Sequence, residues 1–284
     1  MSPADHAISG PVSLREYPVE YLCGSDRVYG VAHLPESPVK HGLIVIGRTG
    51  SDRGSVYLCR DAARAGLPAF RFDFRGRGWC EGPLVPVQET GEDIACAIQA
   101  LQSVAPGIGV FTIVGMSEGA AAAFLYARSD PRVAGIVAVN PWIRMEQETA
   151  KQHVKMNLAR VGKREFWKRI RNSESGYIGA ARSFVRLVGN VVTAPGDPGA
   201  LKQHVVDGLM RFEGKTCIIL GGADPSTIVF QKAAADQIDR LTATGRMSSY
   251  TVPGADHVFS DSGARRQFIT HTVDWTLALA REVA

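Results

Sequence analysis

The hydrophobic pattern changes period several times along the chain, and those changes outline its elements. After a loose arm over residues 1–15, two β segments at 17–23 and 28–34 flank Gly24-Ser25-Asp26, which predicts an opening hairpin. Short unbroken apolar runs follow at 43–46, 69–72, 111–114 and 133–139, alternating with helical spacing at 56–65, 87–104 and 120–128. Apolar runs without alternation are expected where a strand is buried on both faces. Helices between them supply the crossovers that make strands parallel. The alternation stops near residue 142. It resumes with a strand at 216–220, a helix over 228–244, a strand at 248–252, a loop at 253–261 and a last helix over 263–281. The pattern predicts an α/β fold: a mostly parallel sheet with helices on both faces, built from 1–142 and 214–284. A helical insertion at 143–213 interrupts it.

Composition narrows the class. A chain of 284 residues with 45% hydrophobic and 21% charged content suits a globular protein with a sizeable core. The first ten residues lack the basic end and apolar stretch of a secretory signal, and no apolar run is long enough to span a bilayer. Cys23, Cys59, Cys80, Cys96 and Cys217 are scattered without C-x-x-C spacing. That argues against a disulfide framework or zinc site and points to a reducing cytoplasm. No His/Cys/Asp cluster suggests a metal, and no cofactor is expected. The glycine-rich stretches 47–54 and 73–78 lack both the phosphate-loop lysine and dinucleotide-binding spacing, and read as structural turns.

Charge adds a distinction that the hydrophobic pattern does not make. The net charge of +4 is too mild to imply nucleic-acid binding. Between Arg144 and Lys215, however, fourteen Lys/Arg face seven Asp/Glu, which leaves the rest of the chain at about −3. The bias is densest at 151–171. It reads either as a solvated helical face or as a lid favouring anionic ligands or peripheral contact with an anionic membrane.

Candidate chemistry centres on 111–123, FTIVGMSEGAAAA. A β-branched run ends at Gly115, Ser117 follows in G-M-S-E-G, and an alanine run opens a helix. This strand–turn–helix pattern is the nucleophile elbow, which lifts a serine hydroxyl above the carboxyl end of a sheet. Such a serine needs a base and an acid, in the chain order serine, acid, histidine. Of seven histidines only His257 lies in a loop just after a predicted core strand. Asp224 directly follows the strand at 216–220, where a carboxylate can reach the far nitrogen of that ring. It is also placed to start a helix ahead of Pro225. Asp256 and Asp261 read as loop or capping groups, and Glu92-Asp93 as the solvated or start-proximal face of a helix. Two N–H donors must stabilise an oxyanion. One is expected from Glu118, the other from Arg48 or Thr49 in the loop after the strand at 43–46.

With D-F-R-G at 73–76, the serine elbow, Asp224 and His257 all in order, the chain resembles the α/β-hydrolase fold from about residue 17 to its end. A narrower likeness lies in D-P-R-V-A-G at 130–135, N-P-W-I-R at 140–144 and R-E-F-W at 164–167. In these the chain resembles the first hydrolase family associated with exosortase A systems, encoded near bacterial exopolysaccharide and protein-sorting machinery. That family often carries cysteine at the nucleophile position, where this chain has Ser117. The resemblance covers core and inserted cap. Ser117, with Asp224 and His257 in order after it, favours hydrolysis of a small-molecule acyl ester or thioester, and the basic charge of the cap suits an anionic portion on that substrate. Acyl transfer to a sugar hydroxyl, or a non-catalytic scaffold role in envelope assembly, are the alternatives.

Overall fold

A computed structural model describes residues 14–47, 52–141 and 198–283. The chain divides into two units, Met1–Ile143 with His204–Ala284, and Arg144–Gln203. Most of the expected insertion at 143–213, up to residue 197, falls outside the described residues. Its last turns do not: Val205, Val206 and Leu209 of the helix Pro198–Arg211 are buried, and His204 onward groups with the core.

Eight strands form one sheet. β1 (Leu14–Cys23) and β2 (Asp26–Pro35) make the opening hairpin, and β3 (His41–Ile46), β4 (Ala69–Phe72), β5 (Val110–Met116) and β6 (Val133–Val139) follow. After the described helix Pro198–Arg211 come β7 (Lys215–Gly221) and β8 (Met247–Val252). Their order is β1-β2-β4-β3-β5-β6-β7-β8; β1 and β2 run antiparallel and β3 to β8 parallel. The middle strands are apolar on both faces because helices cover both. β3 is buried at every position, and β5 at all but its first. One face packs Leu43, Val45, Val114, Val137, Cys217 and Ile219 against residues of the first helix and of the last, including Leu58 and Phe268.

We number the described helices α1 (Arg53–Arg64), α2 (Gly91–Val104), α3 (Glu118–Ala127), α4 (Pro198–Arg211), α5 (Pro225–Ala233), α6 (Ala235–Ala243) and α7 (Ser262–Glu282). Several begin at side-chain caps that hydrophobic spacing alone does not reveal. Asp52 accepts from Ser55 N at 3.0 Å, so α1 starts three residues before the predicted position. Asp261 caps α7 through the amides of Gly263 and Ala264. The stretch at 87–104 is a 3₁₀ turn (Val87–Glu89) followed by α2, and the helix expected over 228–244 is two helices. They break at Ala234, which is fully buried with φ −124°. Alanine favours helix, so local propensity does not account for that break.

Two buried histidines make stability depend on pH. His33 is fully buried in β2, beside Glu16 and Arg71. His41, 3% exposed in β3, pairs its Nε2 with Thr112 Oγ1 at 2.8 Å. Burial pushes the His41 imidazole down to about 4; burial, then the Arg71 guanidinium, lower His33 as well. The folded state thus binds these protons more weakly than the unfolded chain does. Stability is complete above the ordinary histidine pKa near 6.5 and is lost as pH falls through 4. By pH 4, His41 alone is expected to cost on the order of 3 kcal/mol. Urea midpoints of wild type and His41→Gln between pH 7 and 4.5 test this. The wild type should weaken more steeply with acid, and equal slopes would refute the assignment.

Candidate active site

The strand-to-helix turn at Ser117 is built by steric necessity. β5 runs straight into α3, and Ser117 joins them at φ 55°, ψ −113°, a conformation that costs an L residue about 1–3 kcal/mol. Surrounding structure holds it there: Ser117 N donates to Val139 O of β6 at 2.9 Å, and Ala120 N donates to Ser117 O at 3.1 Å. A Cβ on Gly115 would lie 2.3 Å from Gly119 O and 2.6 Å from Ala120 Cα. One on Gly119 would lie 2.6 Å from Ile46 O at the end of β3. The spacing G-x-S-x-G therefore reflects two close backbone approaches, one within the turn and one to the neighbouring strand. The first amides of α3 have no partner within their own helix, and their dipoles favour negative charge near Ser117.

Two strands further along the sheet, β7 ends in Gly221 and the chain turns into α5. Asp224 caps that helix: its Oδ1 accepts from Ser226 N at 3.0 Å and its Oδ2 from Ser226 Oγ at 2.6 Å, with Pro225 in the first turn. Oδ2 also lies 2.6 Å from His257 Nδ1. Asp224 thus does both things expected of its position. Burial raises its pKa, but the hydrogen bonds from His257 and Ser226 outweigh that and hold it below the usual carboxylate range. An ionised acceptor requires Nδ1 to carry the imidazole proton, which leaves Nε2 as the nitrogen with a free lone pair. The loops bearing the two residues are joined by Gly222 N to Val252 O and Ala223 N to Ala255 O, both 2.9 Å.

Ser117, Asp224 and His257 therefore follow the carboxyl ends of β5, β7 and β8 along one edge of the sheet, where ligands of open α/β sheets bind. Glu118 is the first residue of α3, and its carboxylate is held by Arg77 through contacts of 3.1 and 3.2 Å. Arg48 and Thr49 lie outside the described residues. Asp256 accepts from Ser260 N and Oγ and stays within its own loop, as a capping group does.

Three contributors were not legible beforehand. Asn140, at the end of β6, bridges Gly221 N and His257 O. Ser226 shares the Asp224 carboxylate. Asp93 lies in the first turn of α2, as one of its two expected placements has it, but it is buried and not solvated, and it binds the backbone amide and guanidinium of Arg75. It thereby fixes the turn that carries Arg77. The composition around Asn140 carries no signal, because its partners are 81 and 117 residues away. Among the described residues no cluster of His, Cys, Asp or Glu could hold a metal, and no helix is long and apolar enough to cross a membrane.

Comparison with known proteins agrees with this architecture. Residues 38–190 match the family described as serine aminopeptidase, S33. No curated protein matches the chain. Among solved structures, it is similar to an esterase from Pyrococcus furiosus, with a TM-score of 0.63 and 13% identity over 95% of this chain and 92% of that one. VinJ gives a TM-score of 0.63 at 18% identity, over 95% and 100% of the two chains. Dienelactone hydrolase from Anabaena variabilis gives 0.59 at 15%, over 93% and 98%. At such identities the likeness is one of fold, and the fold is that of the α/β hydrolases. The family match spans more than half of the sequence, so the chain belongs to the serine aminopeptidase, S33 family of α/β hydrolases.

Proposed function

We propose that this hydrolase is a serine enzyme that cleaves an acyl ester or thioester through an acyl-enzyme on Ser117. The observation carrying the reading is the 2.6 Å contact between His257 Nδ1 and Asp224 Oδ2, on the sheet edge that also bears a serine at positive φ. Ser117 Oγ attacks the carbonyl carbon while His257 Nε2 takes its proton. Asp224 keeps the ring in the right tautomer and stabilises the imidazolium. The carbonyl oxygen gains the negative charge, and the Glu118 amide and an amide from Arg48 or Thr49 donate to it. As the tetrahedral intermediate collapses, the bond to the alcohol or thiol breaks, and His257 returns the proton to that leaving group. Water then repeats the sequence on the acyl-enzyme and releases the acid.

Of the insertion expected at 143–213, the part before His204 is proposed as the cap, since His204 onward groups with the core, and its positive balance favours a phosphate, coenzyme A or acidic sugar portion on the substrate. Such a substrate accords with the resemblance to hydrolases encoded beside exopolysaccharide systems. Five cysteines, all free thiols, suit a cytoplasmic setting.

Labelling with a fluorophosphonate probe followed by intact-mass and peptide analysis tests the assignment. One adduct per chain, on the Ser117 peptide and absent from Ser117→Ala, is the expected result. A folded wild type that takes no label, or a Ser117→Ala protein that labels equally, would overturn it. Turnover of a short-chain acyl ester, an acyl thioester and an aminoacyl amide then ranks substrate classes, with the amide expected last.

A further inference from the structure

β6 lies between the serine strand and the acid strand, and it too ends in a residue with an unusual backbone. Asn140 has φ 42° and is 1% exposed. Asparagine enters the left-handed region more readily than most side chains. Its own amide continues the ladder by donating to Ile219 O at 2.8 Å, which aims the side chain across the carboxyl end of β7. There Oδ1 accepts from Gly221 N at 2.7 Å, and Nδ2 donates to His257 O at 2.9 Å. These partners settle which way the amide faces, since an N–H must meet the carbonyl and an oxygen must meet the N–H.

The geometry points to Asn140 as a positioning residue that fixes the main chain of His257 relative to the acid loop. This inference rests on the proposed Ser117-His257-Asp224 assignment. His257 then has two anchors: Asp224 restrains the ring at Nδ1, and Asn140 restrains the backbone from which the ring projects. A ring held only at Nδ1 can pivot about that bond and swing Nε2 away from the serine. Fixing the carbonyl as well sets the direction of Nε2. The same amide holds Gly221, three residues before Asp224, so one side chain ties together the ends of three strands.

The task needs a donor and an acceptor on one short planar head, and asparagine supplies both. Aspartate has the same shape, yet its carboxylate would put an oxygen against His257 O and leave that carbonyl without a donor. Alanine or leucine would strand a buried N–H and a buried carbonyl together. Asn140 makes no contact with Ser117 among its described hydrogen bonds, so it acts through His257 and not on the reacting atoms.

Asn140→Gly separates the clamp from the backbone, because glycine accepts φ 42° without strain and removes only the amide head. The variant is to be compared with wild type by urea denaturation, by kcat and KM for p-nitrophenyl acetate, and by the rate of fluorophosphonate labelling. The expected result is a folded protein still labelled at Ser117, with kcat and labelling rate lower by on the order of 10²-fold and KM within about 3-fold. In Asn140→Asp the added carboxylate should also move the acid limb of the labelling-rate profile to higher pH. A folded Asn140→Gly with wild-type kcat and labelling rate would overturn the role, even if its stability had fallen. Should that variant not fold, wild-type kcat in the isosteric Asn140→Asp would overturn it equally. Failure of the underlying assignment looks different: wild type itself then takes no label, or Ser117→Ala takes it.

Discussion

Replacing Ser117 with alanine is expected to lower ester turnover by roughly 10⁴- to 10⁶-fold, equivalent to about 5–8 kcal/mol of transition-state stabilisation. In the proposed mechanism this change removes the oxygen that forms the acyl bond, and what survives is water attack assisted by the oxyanion donors. His257→Ala should cost a similar amount, since a neutral serine hydroxyl is a weak nucleophile once no base takes its proton. The decisive comparison is the double variant. Groups that act in one proton transfer are not additive, so Ser117→Ala with His257→Ala should be scarcely slower than Ser117→Ala alone. Purified proteins with matching circular dichroism spectra, assayed on one p-nitrophenyl ester at pH 8, would measure all three. Turnover within tenfold of wild type in Ser117→Ala would remove this serine from the mechanism.

Gly115→Ala is the second change expected to have a large effect, and it acts through the fold. Its methyl group would sit 2.3 Å from Gly119 O and 2.6 Å from Ala120 Cα. Both are backbone atoms at the start of a buried helix, so no flexible side-chain end can move aside. Overpacking of a tight site costs about 1–3 kcal/mol and sometimes more; an overlap this deep belongs at about 3 kcal/mol or above. Relaxation has to come from the β5–α3 turn, so nucleophile reactivity should fall together with stability. Gly109→Ala is the control, because a Cβ there meets nothing within 4 Å. Urea denaturation should leave Gly109→Ala within about 0.5 kcal/mol of wild type. A Gly115→Ala variant that matched it would show that the turn can open without cost.

The reach of sequence reading is clearest at Asp224. Its place after an apolar strand, ahead of Pro225, supported two readings, a helix cap and an acid. One carboxylate makes the contacts that both readings need: Oδ1 caps the helix, while Oδ2 accepts from Ser226 Oγ and lies 2.6 Å from His257 Nδ1. The separation of 33 positions from Asp224 to His257 is no obstacle, because each follows a core strand and parallel strands bring their carboxyl ends to one edge. At Asp93 the sequence places a carboxylate near a helix start, which the structure keeps, but its burial comes only from the approach of the 73–78 turn, which sets it against Arg75. α1 and α5 begin before the apolar stripes at 56–65 and 228–244, because the caps Asp52 and Asp224 extend each helix beyond its stripe.

What the amino-acid order determined by itself was the alternation of strands and helices and the elbow at Ser117. It also determined the order of serine, acid and histidine. These follow from local patterning: runs buried on both faces, and two glycines flanking a serine where no Cβ fits. Strand order was decided only in three dimensions, as were the 2.6 Å approach of Asp224 to His257 and the burial of Asp93. So was the bridge from Asn140 to Gly221 and His257, across 81 and 117 residues. Their common physical reason is that a hydrogen bond depends on donor and acceptor meeting within about 3 Å, and between distant segments only packing of the sheet sets that separation.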